Sequence, residues 1–221
     1  MASFDAISVV ANTIRGLLVN SCPDRFTGAE FRILRTQDFQ PAAAQISFGI
    51  SIYLHRVAFN TSRRSLPPRV ELETGRRFRP PTPLDLHFLV TAWGRTAEEQ
   101  MDMLGWAVRT LQDSTELTAG LLNRFSGDPG ARFPSENRDS PRTRVFADAE
   151  AVELVGEILT PQEFVNIWGN ALANQQPSIS YVARQVLIDS ETELPGAALV
   201  QTRGFEHAIL ISNGSSPSAA R

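Results

Sequence analysis

Residues 84–93, LDLHFLVTAW, constrain the fold more than any other stretch of the chain. In an extended conformation Leu84, Leu86, Phe88, Val90 and Ala92 share one face, while Asp85, His87, Leu89, Thr91 and Trp93 share the other. Alternation of this length predicts a strand. Only part of the second face is polar, so the strand belongs inside a sheet and not at its edge. It is entered through Pro-Pro-Thr-Pro and left at Gly94.

Residues 45–57 carry the same pattern. Ile46, Phe48, Ile50, Ile52 and Leu54 fall on one side; Ser47, Gly49, Ser51, Tyr53 and His55 fall on the other. Being consecutive and strongly patterned, the two strands are expected to pair as antiparallel neighbours. Burying each large side chain contributes roughly 1.5–3 kcal/mol before conformational entropy is subtracted.

The remaining elements follow from periodicity and end signals. Phe4, Ile7, Val10, Ala11, Ile14, Leu17 and Leu18 predict a helix with Ser3 as its cap, ending near Asn20. Residues 31–36 suggest a short strand. Thr96-Ala97-Glu98-Glu99 and Thr160-Pro161-Gln162-Glu163 both read as capping boxes, where a threonine hydroxyl and a glutamate carboxylate satisfy free first-turn amides. The first opens a helix with Met101, Leu104, Val108 and Leu111 as its buried stripe; the second opens one that buries Phe164, Ile167, Trp168, Ala171 and Leu172. Residues 117–122 suggest a further helical turn. Residues 151–159 and Ser178–Ile188 read as strands, and the latter is the candidate exposed edge.

The expected fold is therefore α+β: a mixed, largely antiparallel sheet flanked by helices. One domain is expected over residues 1–189, with long loops at 58–83 and 124–149. Residues 190–221 are expected to form a partly flexible C-terminal extension, Gly/Ser/Pro/Ala-rich from residue 212. The 58–83 segment exceeds an ordinary connection. It carries Arg63, Arg64, Arg69, Arg76, Arg77 and Arg79 against Glu71 and Glu73. It is either a solvated loop or an arginine-rich arm that orders against an acidic partner.

Composition excludes several functional classes. Net charge is -3, so no global field draws the chain to nucleic acid or membrane. All 21 basic residues are arginine; codon usage explains this, and bidentate interface contacts are compatible with it. Cys22 stands alone, which allows neither an internal disulfide nor a cysteine metal cluster. No signal peptide and no long apolar run is visible, so a cytoplasmic protein is expected. Neither phosphate-binding glycine motifs, G-x-S-x-G nor H-E-x-x-H occurs. His55, His87 and His207 lack ligand spacing, and His55 with His87 reads as an ordinary sheet-face pair. Two sequons, at Asn60 and Asn213, have no secretory context. No enzyme, cofactor or metal is expected.

Four segments in order carry a resemblance: FDAISVVANTIRGLL, SFGISIYLHRVAFN, RPPTPLDLHFLVTAWGRTAEEQMDMLGWAVRTLQD and ELVGEILTPQEFVNIWGNALANQQPSISYVARQVLID. Together, over residues 4–189, they resemble the cap or tail-terminator proteins of extracellular, antifeeding-prophage-like contractile injection systems, a family whose N-terminal part is a domain of unknown function. The resemblance implies a phage tail-terminator-like fold and a homo-hexameric ring at the end of a phage-tail-like particle distal to its baseplate. It implies that the ring meets sheath protein and inner tube protein, ends their growth and couples them. It implies no catalytic residue. Strand exchange with the sheath would need an exposed edge. Arg63, Arg64, Arg76, Arg77, Arg79, Tyr181 and Arg184 are the candidate partner-binding residues. The alternative is a tail-completion or connector protein of a bacteriophage.

Overall fold

The computed structural model describes residues 4–39, 46–63, 65–71, 74–126, 145–169 and 174–195. Its frame is a six-stranded sheet in the order β1-β2-β5-β8-β7-β6. These strands span Glu30–Leu34 (β1), Gly49–Phe59 (β2), Thr82–Trp93 (β5), Glu116–Thr118 (β6), Ala151–Glu157 (β7) and Ser178–Ile188 (β8). β1 runs parallel to β2, and every other pair is antiparallel, as a mixed α+β sheet requires. Gly49 makes the β1–β2 contact possible: a Cβ there would stand 1.9 Å from the Glu30 carbonyl oxygen, and its φ is +151°. A separate two-stranded hairpin pairs β3 (Arg69–Val70) with β4 (Arg77–Phe78).

β5 is buried on both faces, as its incomplete alternation predicts. It pairs with β2 from Gly49↔Trp93 to Phe59↔Leu84. Leu84, Leu86, Phe88, Val90 and Ala92 join Ile50, Ile52, Tyr181, Ala183 and Leu154 in the larger core. Helices α1 (Ala6–Asn20), α2 (Ala97–Gln112) and α3 (Ala119–Arg124) add Val10, Ile14, Leu18, Met103, Trp106, Leu111 and Leu122 to it. The opposite face carries a smaller core of Leu34, Phe39, Ile46, Leu89, Trp93 and Trp168, the last from α4 (Pro161–Trp168).

Several expectations are corrected. β8 is not an edge: it lies between β5 and β7, hydrogen-bonded to both. The outer strands are β1 and β6. Ser3 lies outside the described residues, and α1 is capped at Asp5 without a side-chain bond. The buried stripe of α2 is Met103, Trp106, Ala107, Thr110 and Leu111, whereas Met101 is 60% exposed. Thr96 caps α2 by accepting from the Glu99 amide, but the Glu99 carboxylate takes the Arg95 amide, so only half the box forms. At α4 both halves form. Ala171 and Leu172 lie outside the described residues. Leu117 is a strand residue ahead of α3.

Both long connections hold more structure than their composition suggests. The 58–83 connection contains the β3–β4 hairpin. In the 124–149 connection, Val145 and Phe146 are core residues. The Asn123 side chain accepts from both their amides, each at 2.9 Å, and donates to the Phe146 carbonyl at 2.8 Å. Residues 127–144 lie outside the described residues. The ordered contacts also pass the expected boundary at residue 189, because residues 190–195 dock on the hairpin; residues 196–221 fall outside the description.

Candidate partner-binding surfaces

The arginine-bearing hairpin is clasped to the segment that leaves β8. The Arg79 amide donates to the Thr192 carbonyl at 2.9 Å, and the Leu194 amide donates to the Arg77 carbonyl at 2.7 Å. Phe78 bridges Glu193 and is buried beneath two guanidinium groups, Arg69 at 4.1 Å and Arg76 at 5.5 Å from its ring centre. Arg76 donates to Glu193 Oε2 from Nε at 3.1 Å and from Nη2 at 2.6 Å. That charge-assisted fork holds the Glu193 carboxyl below its usual range and raises the Arg76 guanidinium. Arg69 lies 3.9 Å from Asp189, whose carboxyl is pushed up by burial against that guanidinium's opposing charge.

The sequence-nominated residues therefore divide. Arg76 is engaged within the chain. Arg63, Arg77 and Arg79 are exposed, and no ion pair engages them among the described residues. Arg64 lies outside the described residues. Arg184 is exposed on β8, in register with Glu153 of β7. Tyr181 does not reach a surface. It is 1% exposed in the helix-side core, its hydroxyl donates to the Val108 carbonyl at 3.5 Å, and burial pushes that hydroxyl's pKa up. The alternation of β8 turns Tyr181 inward together with Ala183.

A second polar cluster occupies the sheet face opposite the three helices. The Glu157 carboxylate stands 2.9 Å from His87 Nδ1 and accepts from the Ser180 hydroxyl at 3.0 Å and from Arg56 Nη2 at 3.1 Å, and Arg56 Nη2 lies 3.1 Å from the same His87 nitrogen. Arg56 also reaches Glu163 of α4 at 3.8 Å. Burial alone would raise Glu157, but the hydrogen bonds from His87 and Ser180 and the neighbouring positive charge leave it lowered. His55 stands 6.0 Å from His87 ring to ring, and its pKa is lowered chiefly by burial. The pair is thus a sheet-face pair, with a carboxylate partner on β7 that strand patterning did not reveal. β7 carries two glutamates, Glu153 and Glu157, and its sequence does not single out the one that meets His87. Among the described residues no group of three or more acidic, histidine or cysteine side chains is placed to hold a metal ion. No helix among them is long and apolar enough to cross a membrane.

Comparison with known proteins completes the picture. The sequence model of the family described as Pvc16 N-terminal domain matches residues 9–202. No curated protein sequence matches the chain. Among solved structures, the chain is similar to the PVC sheath/tube terminator of an extracellular contractile injection system in its extended state. That match has 12% identity and a TM-score of 0.54, covering 91% of this chain and 64% of the other. It is likewise similar to the tube-terminating cap of the anti-feeding prophage, with 13% identity, a TM-score of 0.54, and coverage of 88% of this chain and 60% of the other. The chain spans less than two thirds of either solved chain, and at these identities the likeness establishes a shared fold.

Proposed function

We propose that this chain, which belongs to the Pvc16 N-terminal domain family, is a structural terminator subunit of a contractile injection particle. The carrying observation is the family match across nearly the whole ordered domain. It is supported by the terminator fold of two solved caps. Copies of the chain form a closed ring, six in number, that stops growth of the inner tube and the sheath and ties one to the other. Such a ring uses head-to-tail interfaces that close on themselves, each burying on the order of 800 Å² per partner if stable. The role is mechanical and needs no catalytic group. Assembly takes place in the cytoplasm.

The partner surface includes the outer side of the β3–β4 hairpin. Arg77 and Arg79 present fixed positive charge there while Arg76 holds the hairpin to Glu193, and Arg63 adds an exposed charge in the turn after β2, with Arg64 next to it in sequence. Their counterpart is acidic surface on the tube, the sheath or the adjacent cap subunit. Arg184 offers a separate charge on the sheet.

Electron microscopy of particles made with and without this chain tests the reading. Without it, tubes and sheaths are expected to lose length control or to separate. Particles of unchanged length and integrity refute the terminator role. Native mass spectrometry of the purified cap tests the ring, and a stable stoichiometry other than six refutes that number.

A further inference from the structure

We propose that the exposed hairpin arginines Arg77 and Arg79 dock on the glutamate pair Glu116 and Glu153 of a second copy of this chain. The inference rests on the ring reading above and names the hairpin's partner as the adjacent subunit.

The acidic side carries two costs that a cation from outside removes. Glu116 of the outer strand β6 stands in register with Glu153 of β7, and both are exposed. Like charges directly opposite each other across an antiparallel pair destabilise it. Arg184 of β8 is in register with Glu153 on the far side from Glu116. Among the described residues no ion pair engages either glutamate. Asp113, three residues before Glu116, adds an exposed carboxylate at the C-terminal cap of α2, where the helix dipole disfavours negative charge.

The basic side matches in spacing. Phe78 is buried, so alternation turns its neighbours Arg77 and Arg79 outward together. Their backbone positions lie about 7 Å apart in extended chain, while facing glutamates set their Cβ atoms about 5 Å apart. The clasp of both arginines' backbone to Thr192 and Leu194 fixes where they point from. It also keeps them from the glutamates of their own chain. Glu153 is level with Arg184, four residues and about 13 Å before the end of β8. Glu116 lies two strand spacings further across, roughly 10 Å. The hairpin is held beyond that end of β8, so another copy makes the contact. Two different patches meeting between identical subunits is the head-to-tail arrangement that a closed ring requires. Exposed charge pairs of this kind fix partner and register more than affinity, and salt screens them. Docking to sheath and tube then depends on the hairpin through the ring it closes.

Native mass spectrometry of full-length chains at low salt tests this contact. The wild type should give a closed ring. Arg77→Glu with Arg79→Glu should lower the ring's share at least tenfold, and so should Glu116→Arg with Glu153→Arg. Mixing the two variants in equal amounts should restore rings in which they alternate, because every contact then joins opposite charges; that recovery also shows both variants to be folded. Arg77→Lys with Arg79→Lys should keep the ring. A wild type without rings overturns the ring reading and this inference with it. Rings formed as usual by either reversed variant alone overturn this inference and leave the ring reading standing. A mixture that gives no rings, from a wild type that does, has the same meaning.

Discussion

The two faces of the sheet are closed by different physics. The helix side is hydrocarbon against hydrocarbon: Phe88, Leu86, Ile14, Met103 and Leu111 are at or near complete burial. Its stability comes from apolar area and close packing. The other face has one short helix, α4, and a smaller apolar cluster around Trp93 and Trp168. Beyond it, the covering is polar: Glu157 gathers His87, Ser180 and Arg56. A face that is half apolar and half charged tolerates less change in solvent conditions.

The largest expected loss is on the helix side. Phe88→Ala should cost about 3–5 kcal/mol, lowering Tm by roughly 10 °C for a chain of this size. Trp168→Ala, on the thinner face, should cost less, about 3 kcal/mol; thermal denaturation in which it exceeds Phe88→Ala would break the ranking. Acid should act through the polar face. The folded state binds a proton at His55 less readily than the unfolded chain does, so that contribution is full above about pH 6.5 and declines below it. Glu157, held low in the fold, adds a second loss in more acidic solution. Tm measured against pH should therefore fall from about pH 6.5 downward, and His55→Asn should flatten the upper part of that slope. A wild-type profile flat from about pH 6.5 down to about pH 4.5 would show that burial of His55 adds nothing to stability. The smallest stability effect belongs to the hairpin: Arg77→Ser with Arg79→Ser should leave Tm unchanged, because exposed charges add little. The same pair should weaken docking to sheath and tube, most at low salt, in co-sedimentation. Docking unaltered at every salt concentration rejects the hairpin as a partner surface.

Much of the helix-side face was legible in the sequence, because alternation and capping are local. β2, β5 and the two threonine caps follow from residues within a few positions of one another. α2 shows where local reading slips. Met101, Leu104, Val108 and Leu111 form a plausible apolar stripe, but Met103, Trp106 and Ala107 face the sheet. Both stripes have helical spacing and share Leu111, and Leu104 packs on the core as well, so the reading slips at Met101 and misses Met103, Trp106 and Ala107. The turn into α2 is tight: a Cβ at Gly94 would lie 2.7 Å from the Gln100 amide nitrogen. The candidate site was less legible. Composition marked the arginine cluster but could not show that Arg76 is committed to Glu193, far along the chain. Tyr181 was misjudged because an aromatic at an assumed edge looks available, whereas in an inner strand the same alternation buries it.

Local sequence alone set which residues can lie on a common face and where α2 and α4 begin. Those properties rest on backbone periodicity and short-range hydrogen bonds. The tertiary structure alone decided that β8 lies between β5 and β7, that Glu157 meets His87, and that the 58–83 connection folds back as a hairpin on residues 190–195. Each is a pairing between distant segments, and a strand's alternation specifies its faces without naming its neighbours.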